Sequence, residues 1–296
     1  MTRLGILGGG TVGTALVRLI QDNLYDRFRV VQVGVQDLAK PRDIHESLLT
    51  TDLVGIIEDP GVDAIVEVMG GMDPAWPLIQ RAADLGKPVV TANKELVARK
   101  FDEVFELDTQ VLFEAAVCAG VPVIQVLETL AQTNEITRIR GVLNGTTNYV
   151  LSRMRQEGIG FTECLADAQR LGYAEADPSS DVDGWDSAYK LAILVGLATE
   201  EAPSVNKMDR VGIRDLPESK PGEIVRLVAE WTFHDGARVS PQVLSPDDPL
   251  ASLEGTRNGV VIEGDYCGSL MLSGPGAGGN ETASAIVGDL VQLFPA

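Results

Sequence analysis

Apolar residues in the first third of the chain come in short runs separated by glycine turns and by stretches of helical period. Leu4 to Leu7 is the first run. Gly8-Gly9-Gly10-Thr11-Val12-Gly13 follows, and then Leu16, Leu19 and Ile20 recur at helical spacing. This predicts a strand, a tight turn and a helix. Val30 to Val35 closes a unit of about 30 residues, the length of one βαβ crossover. Ile65 to Val68, Val89 to Val90 and Val111 to Phe113 are further runs, separated by the helix-like stretches Pro77 to Leu85 and Glu95 to Leu107. Such alternation predicts an α/β fold with a doubly wound parallel sheet, covered on both faces.

Past about residue 115 the rhythm changes. Ile136 to Leu143 reads as a longer strand, and Tyr149 to Arg155, Glu163 to Leu171 and Asp186 to Leu197 read as helices. Asp215 to Gly222 and Ser245 to Leu253 are rich in Pro, Asp and Ser, as surface loops are. Ile224 to Phe233, Gly259 to Gly264 and Tyr266 to Leu272 fit strands of a mixed sheet. The turn Gly274 to Gly279 then leads into a helix over Thr282 to Leu293, read as returning to the first domain. The expected division is a dinucleotide-binding domain over 1–115, joined by 275–296, and a second, α+β domain over 116–274. No internal repeat of 20 to 50 residues is visible.

Composition narrows the function classes. With 296 residues, 45% hydrophobic and 23% charged, the chain can bury a full core. A formal charge of -19 repels phosphate backbones and anionic bilayers and favours solubility, so nucleic-acid binding is not expected. Three cysteines, Cys118, Cys164 and Cys267, without C-x-x-C spacing argue against a disulfide framework or a zinc knuckle and fit a reducing, cytoplasmic setting. The sequence enters a strand-like run at once, without the pattern of a secretory leader. Ala115 to Ile124, among its longest apolar stretches, is broken by Gly120 and Pro122 and falls short of the roughly 20 residues a membrane helix needs. Only His45 and His234 are available, which disfavours histidine metal sites and Ser-His-Asp triads. Lysines and carboxylates are left to carry the chemistry.

Gly8, Gly10 and Gly13, with Thr11 and Val12 between them, form G-x-G-x-x-G between a predicted strand and a predicted helix. This is the Rossmann-type arrangement that admits a pyrophosphate to the helix N-terminus. The ribose reader is open: Asp37 suits a free 2′-hydroxyl, while Lys40 and Arg42 suit a 2′-phosphate, so the cofactor is NAD or NADP. Lys94, in Thr91-Ala92-Asn93-Lys94, lies where a strand passes into a helix. Solvent would accommodate it at little cost, but in a doubly wound sheet the carboxyl ends of strands form the ligand crevice. A lysine there can polarise a carbonyl or anchor a carboxylate.

The densest constellation of polar residues runs from Gly172 to Lys190. Asp181, Asp183 and Gly184 mimic part of a calcium loop, but its twelfth position, which should supply a bidentate Glu, is Lys190. Asp186 and Lys190 share a helix face in the favourable order, acid before base. On a surface such a pair is worth about 0.3 to 0.5 kcal/mol. Leu191 to Val195 continue the helix apolar nearly all round, which predicts a buried helix with the lysine at the entrance to a cleft. Desolvation makes a lysine a proton donor and acceptor near neutral pH, while Asp186 and Glu175 can hold an ammonium or hydroxyl.

Gly86 to Lys94, Gly141 to Tyr149, Gly172 to Lys190 and Gly274 to Ser284 together resemble homoserine dehydrogenases, in the same order and over nearly the whole chain. The resemblance implies NAD(P)-dependent interconversion of L-aspartate 4-semialdehyde and L-homoserine, on the route to threonine, methionine and isoleucine. It implies Lys190 as the catalytic lysine and Lys94 as the second. Glu175 and Asp186, with Asp181 nearby, match substrate-binding residues. Cofactor contacts fall at the Gly8 to Gly13 turn, Gly70, Thr91, Lys94, Gly172, Glu175, Gly276 and Gly278. Main-chain carbonyls of Glu114, Val117, Ala119 and Val121 match a sodium site. The resemblance also implies a homodimer paired through the second domain. The chain departs from the family at Cys118, where many relatives have Gly, and at Glu281, which replaces a common Pro. With no regulatory ACT domain expected after Ala296, no threonine feedback through one is expected either.

The mechanism implied is hydride transfer between the nicotinamide and the aldehyde carbon, with Lys190 exchanging a proton with the substrate oxygen, Lys94 stabilising negative charge, and Glu175 and Asp186 fixing the ammonium. Two alternatives stay open at this point. One is reduction of another aldehyde or ketone on the same two-domain frame; the other is a silent nucleotide-binding subunit.

Overall fold

The computed structural model describes residues 1–216 and 222–295, so the predicted loop Asp215 to Gly222 lies partly outside the described residues. The elements in chain order are β1 (Thr2–Leu7), α1 (Thr11–Asn23), β2 (Phe28–Gly34), β3 (Leu49–Thr50), α2 (Leu53–Glu58), β4 (Ala64–Glu67), α3 (Ala75–Asp84), β5 (Val89–Thr91), α4 (Lys94–Arg99), α5 (Phe101–Phe105) and β6 (Val111–Leu112). There follow α6 (Val123–Ala131), β7 (Ile136–Val142), α7 (Gly145–Glu157), α8 (Phe161–Arg170), α9 (Ser179–Val182), α10 (Trp185–Thr199), β8 (Asp209–Arg210), β9 (Ile224–Thr232), β10 (Gly236–Leu244), β11 (Arg257–Gly264), β12 (Gly268–Pro275) and α11 (Gly279–Leu293). They divide into two compact units, Met1–Gly120 with Gly278–Ala296, and Val121–Ala277.

The first unit is a six-stranded sheet in the order β3-β2-β1-β4-β5-β6, with every pairing parallel. That order reverses between β1 and β4, the switch point at which doubly wound sheets leave a crevice beyond their carboxyl ends. All four residues of β4 are buried, which explains its unbroken apolar run apart from Glu67. Leu4 and Ile6 of β1 pack with Leu16 and Ile20 of α1, and Ile286 and Leu290 of α11 join the same core. The predicted helix over Glu95 to Leu107 is instead two short helices, because Lys100 leaves helical geometry (φ -121, ψ 29) between them.

The second unit is a mixed sheet in the order β12-β11-β7-β9-β10-β8, antiparallel except where β10 meets β8. The 15-residue helix α10 is buried along Asp186 to Gly196, as its nearly all-round apolar sequence predicts. A smaller core gathers Val142, Val228, Leu244, Leu250, Leu253 and Val261. Strand β10 is not among the strands read from the sequence, and it contains Pro241. Its neighbour β8 reaches only Arg238 and Val239, so on that side of the strand Pro241 has no pairing partner among the described residues and a missing N–H is tolerated. The expected strand from Tyr266 starts two residues later, at Gly268, which takes φ +67 to turn the hairpin.

Candidate active site

In the first unit the glycine turn is shaped by close approach. Gly8 has φ +118, and a Cβ on Gly13 would stand 2.0 Å from the Gly8 carbonyl oxygen, so neither position accepts a side chain. A Cβ on Gly10 would meet nothing within 4 Å. This is the open side from which a ligand can reach the backbone. Gly10 also caps α1 with no side-chain hydrogen bond, and the first turn carries no acid. A cavity of about 620 Å³ opens there, and its lining includes Gly10, Thr11, Arg18, Lys40 and Arg42. Asp37 is not in that lining: its carboxylate caps its own turn at Ala39 N (2.8 Å), and its carbonyl accepts from Arg42 (2.9 Å).

The next two strand ends are tied together by a fully buried carboxylate. Glu67 Oε1 accepts from Met69 N (2.7 Å) and Gly70 N (3.2 Å), and Oε2 accepts from the Thr91 hydroxyl (2.6 Å). Thr91 Oγ1 in turn accepts from Asn93 N (3.0 Å), and Asn93 reaches Gly71 O (2.6 Å) and caps α4 at Leu96 N (3.1 Å). Burial pushes the Glu67 carboxyl up, against the pull of these donors. Gly70, at φ +77, and Lys94, the half-buried first residue of α4, flank this network. The side-chain amide of Asn93 and the Glu67 carboxylate were not singled out from the sequence. A lone charge inside the apolar run Ile65 to Val68 was the available signal for Glu67.

The second unit brings Lys190, Asp186 and Asp181 together. Lys190 Nζ donates to Asp186 Oδ2 (2.8 Å) and to the Leu143 carbonyl oxygen (2.7 Å), at the turn between β7 and α7. Both charged side chains are buried, Lys190 9% and Asp186 4% exposed. Asn144 Nδ2 donates to Asp181 Oδ1 (2.7 Å) and to Asp186 Oδ2 (2.9 Å). Burial, with Asp186 as a nearby like charge, raises the Asp181 carboxyl above the ordinary range. The result is an ammonium, two carboxylates and a carbonyl in one hydrogen-bonded cluster, chemically able to bind a cationic group and exchange a proton.

The other expected residues are more scattered. Glu175 is exposed on the loop after α8, where its carbonyl accepts from Gln169. Gly172, at φ +79, turns the end of α8. Gly276, in the second unit, stands so close to Asn258 that a Cβ would lie 1.9 Å from its amide carbon, and Gly278, at φ +134, caps α11 in the first unit. Along the expected sodium segment, Cys118 and Ala119 both take positive φ (58 and 38), and the Glu114 amide donates to Asp289 (2.9 Å). Among the described residues no cluster of His, Cys, Asp and Glu side chains fits a metal ion.

The family model described as homoserine dehydrogenase matches residues 122–291, and the homoserine dehydrogenase NAD-binding domain matches residues 8–116. The homoserine dehydrogenase of Synechocystis is 42% identical over 98% of this chain and 73% of its own. The crystal structure of a homoserine dehydrogenase from Thiobacillus denitrificans superposes with a TM-score of 0.94, at 36% identity, over 99% of this chain and 73% of that one. A hyperthermophilic archaeal homoserine dehydrogenase in complex with NADPH superposes with a TM-score of 0.87, at 30% identity, over 99% and 98%.

Proposed function

The chain belongs to the homoserine dehydrogenase family, and from that premise we propose that Lys190 is the residue that exchanges a proton with the substrate oxygen in its NAD(P)-dependent reaction. The observation that carries the proposal is the buried ammonium of Lys190 held between the Asp186 carboxylate and the Leu143 carbonyl oxygen. Both partners accept hydrogen bonds only, so they aim two of the three ammonium protons and leave one for a ligand.

The open face at Gly10 and the cavity beside it fit a dinucleotide, held by the Gly8 to Gly13 turn with Thr11 and Val12. Gly70, Thr91, Lys94, Gly172, Glu175, Gly276 and Gly278 complete the proposed cofactor contacts. When bound, the nicotinamide supplies or accepts the hydride. Lys190 Nζ then gives a proton to the developing alkoxide during reduction of L-aspartate 4-semialdehyde, and takes it back during oxidation of L-homoserine. Lys94 stabilises negative charge on the same oxygen or pairs with the substrate carboxylate. Asp186, Glu175 and Asp181 bind the substrate ammonium and orient the reacting carbon. Carbonyl oxygens of Glu114, Val117, Ala119 and Val121 are the proposed sodium ligands.

A homodimer paired through the second unit and a cytoplasmic setting complete the reading. No described helix is long and apolar enough to cross a membrane, and all three cysteines are free thiols. The test is the reduced-nicotinamide absorbance with L-homoserine and NAD or NADP in separate assays, against a panel of other hydroxy acids. Turnover on L-homoserine well above the panel supports the proposal; equal turnover on an unrelated hydroxy acid contradicts it.

A further inference from the structure

We infer that Asn144 is a positioning residue of the reaction, the group that lets Asp181 and Asp186 stand together as acids while Lys190 stays aimed. The inference rests on the reading of Lys190 and Asp186 given above.

Asn144 is 4% exposed and every polar atom of its amide is used. Its Oδ1 accepts from Thr147 N (2.8 Å) and caps α7. Its Nδ2 donates one proton to Asp181 Oδ1 and the other to Asp186 Oδ2. Only a group with two donors on one atom and an acceptor beside it meets all three demands. Aspartate at the same place would cap the helix equally well but present a third carboxylate to the other two; serine would cap it and supply at most one donor.

The oxygen that Asn144 grips on Asp186 is the one that Lys190 binds. Two donors share Asp186 Oδ2, so the position of the oxygen that receives the lysine ammonium is tied to the amide. Without the bridge, two neighbouring acids answer to a single lysine, and a proton taken up by one of them relieves the repulsion. The ammonium would then lose its fixed partner while the fold stayed intact.

Asn144→Asp and Asn144→Ser separate this role from helix capping. Both keep a capping oxygen, but only Asn144→Ser adds no charge, so its unfolding temperature is expected within a few degrees of the parent, that of Asn144→Asp lower, and the dissociation constant for the reduced cofactor unchanged in both. The expected kcat falls about 100-fold in Asn144→Asp and about tenfold in Asn144→Ser. Parental kcat in both variants overturns the inference. So does a loss confined to Asn144→Asp, which would report only the added charge, or a loss in Asn144→Ser matched by a fall in its unfolding temperature. Lys190→Ala, assayed alongside, keeps the two readings apart: if it turns over normally, the role given to Lys190 fails; if it is inactive while both Asn144 variants are normal, only the inference about Asn144 fails.

Discussion

Lys190 and Asp186, one turn apart on α10, form a 2.8 Å ion pair in which both side chains are more than nine-tenths buried. The same spacing on a surface would be a minor contact, but burial changes its scale. Removing one partner of such a pair strands the other charge in a poorly solvated place, at a cost of about 3 to 5 kcal/mol. Asp186→Ala is therefore expected to lower the unfolding temperature markedly and to reduce kcat by about 100-fold, read by thermal unfolding and steady-state kinetics on the same preparation. A variant with parental stability would show that the pair is not buried in solution.

The cations around the glycine turn predict a preference for NADP over NAD. Arg18, Lys40 and Arg42 all line the cavity beside Gly10, while Asp37, the carboxylate that would select a free 2′-hydroxyl, is engaged with the backbone of its own turn. A charge-assisted contact to a 2′-phosphate is worth about 1.5 to 3 kcal/mol, tenfold or more in affinity. Arg42→Ala should raise KM for NADP at least tenfold and change KM for NAD by less than twofold. Equal effects on the two cofactors would remove the 2′-phosphate from this cavity.

Glu230, on β9, predicts an acid-side loss of stability. Burial works against its ionisation, but hydrogen bonds from Arg138, Arg238 and Gln242 outweigh that and hold the carboxyl down, at about 2. A carboxyl depressed in the folded state stabilises fully above its unfolded value, ordinarily 4.5, and loses that contribution as pH falls toward the folded one. The half-exposed arginines discount the effect to something on the order of 2 kcal/mol. Denaturant titrations of Glu230→Gln against the parent should show a gap that is constant above about pH 5 and closes toward pH 2, given the ordinary carboxyl range. A gap independent of pH would assign the loss to packing alone.

What the sequence made legible was local. Glycine spacing encodes the turn at Gly8 to Gly13 because the required φ and close contacts belong to single positions. The Asp186–Lys190 pair follows from helical period, and the buried α10 from an apolar sequence without a polar face. The parts that stayed hidden depend on residues far apart in the chain. Asn144 meets acids 37 and 42 positions later, and the Leu143 carbonyl that receives Lys190 leaves no side-chain trace at all. Strand β10 contains Pro241, whose tolerance depends on where the neighbouring β8 ends, a property of the sheet. Lys100 split a helix whose apolar period runs on through it.

The most direct test of the role given to Lys190 is the turnover of Lys190→Ala on L-homoserine, measured together with its affinity for the reduced cofactor. Loss of a positioned acid–base group costs about 10² to 10⁴ in rate. A fall in kcat of that size with unchanged cofactor affinity is the predicted result. Turnover within a few-fold of the parent would contradict the account.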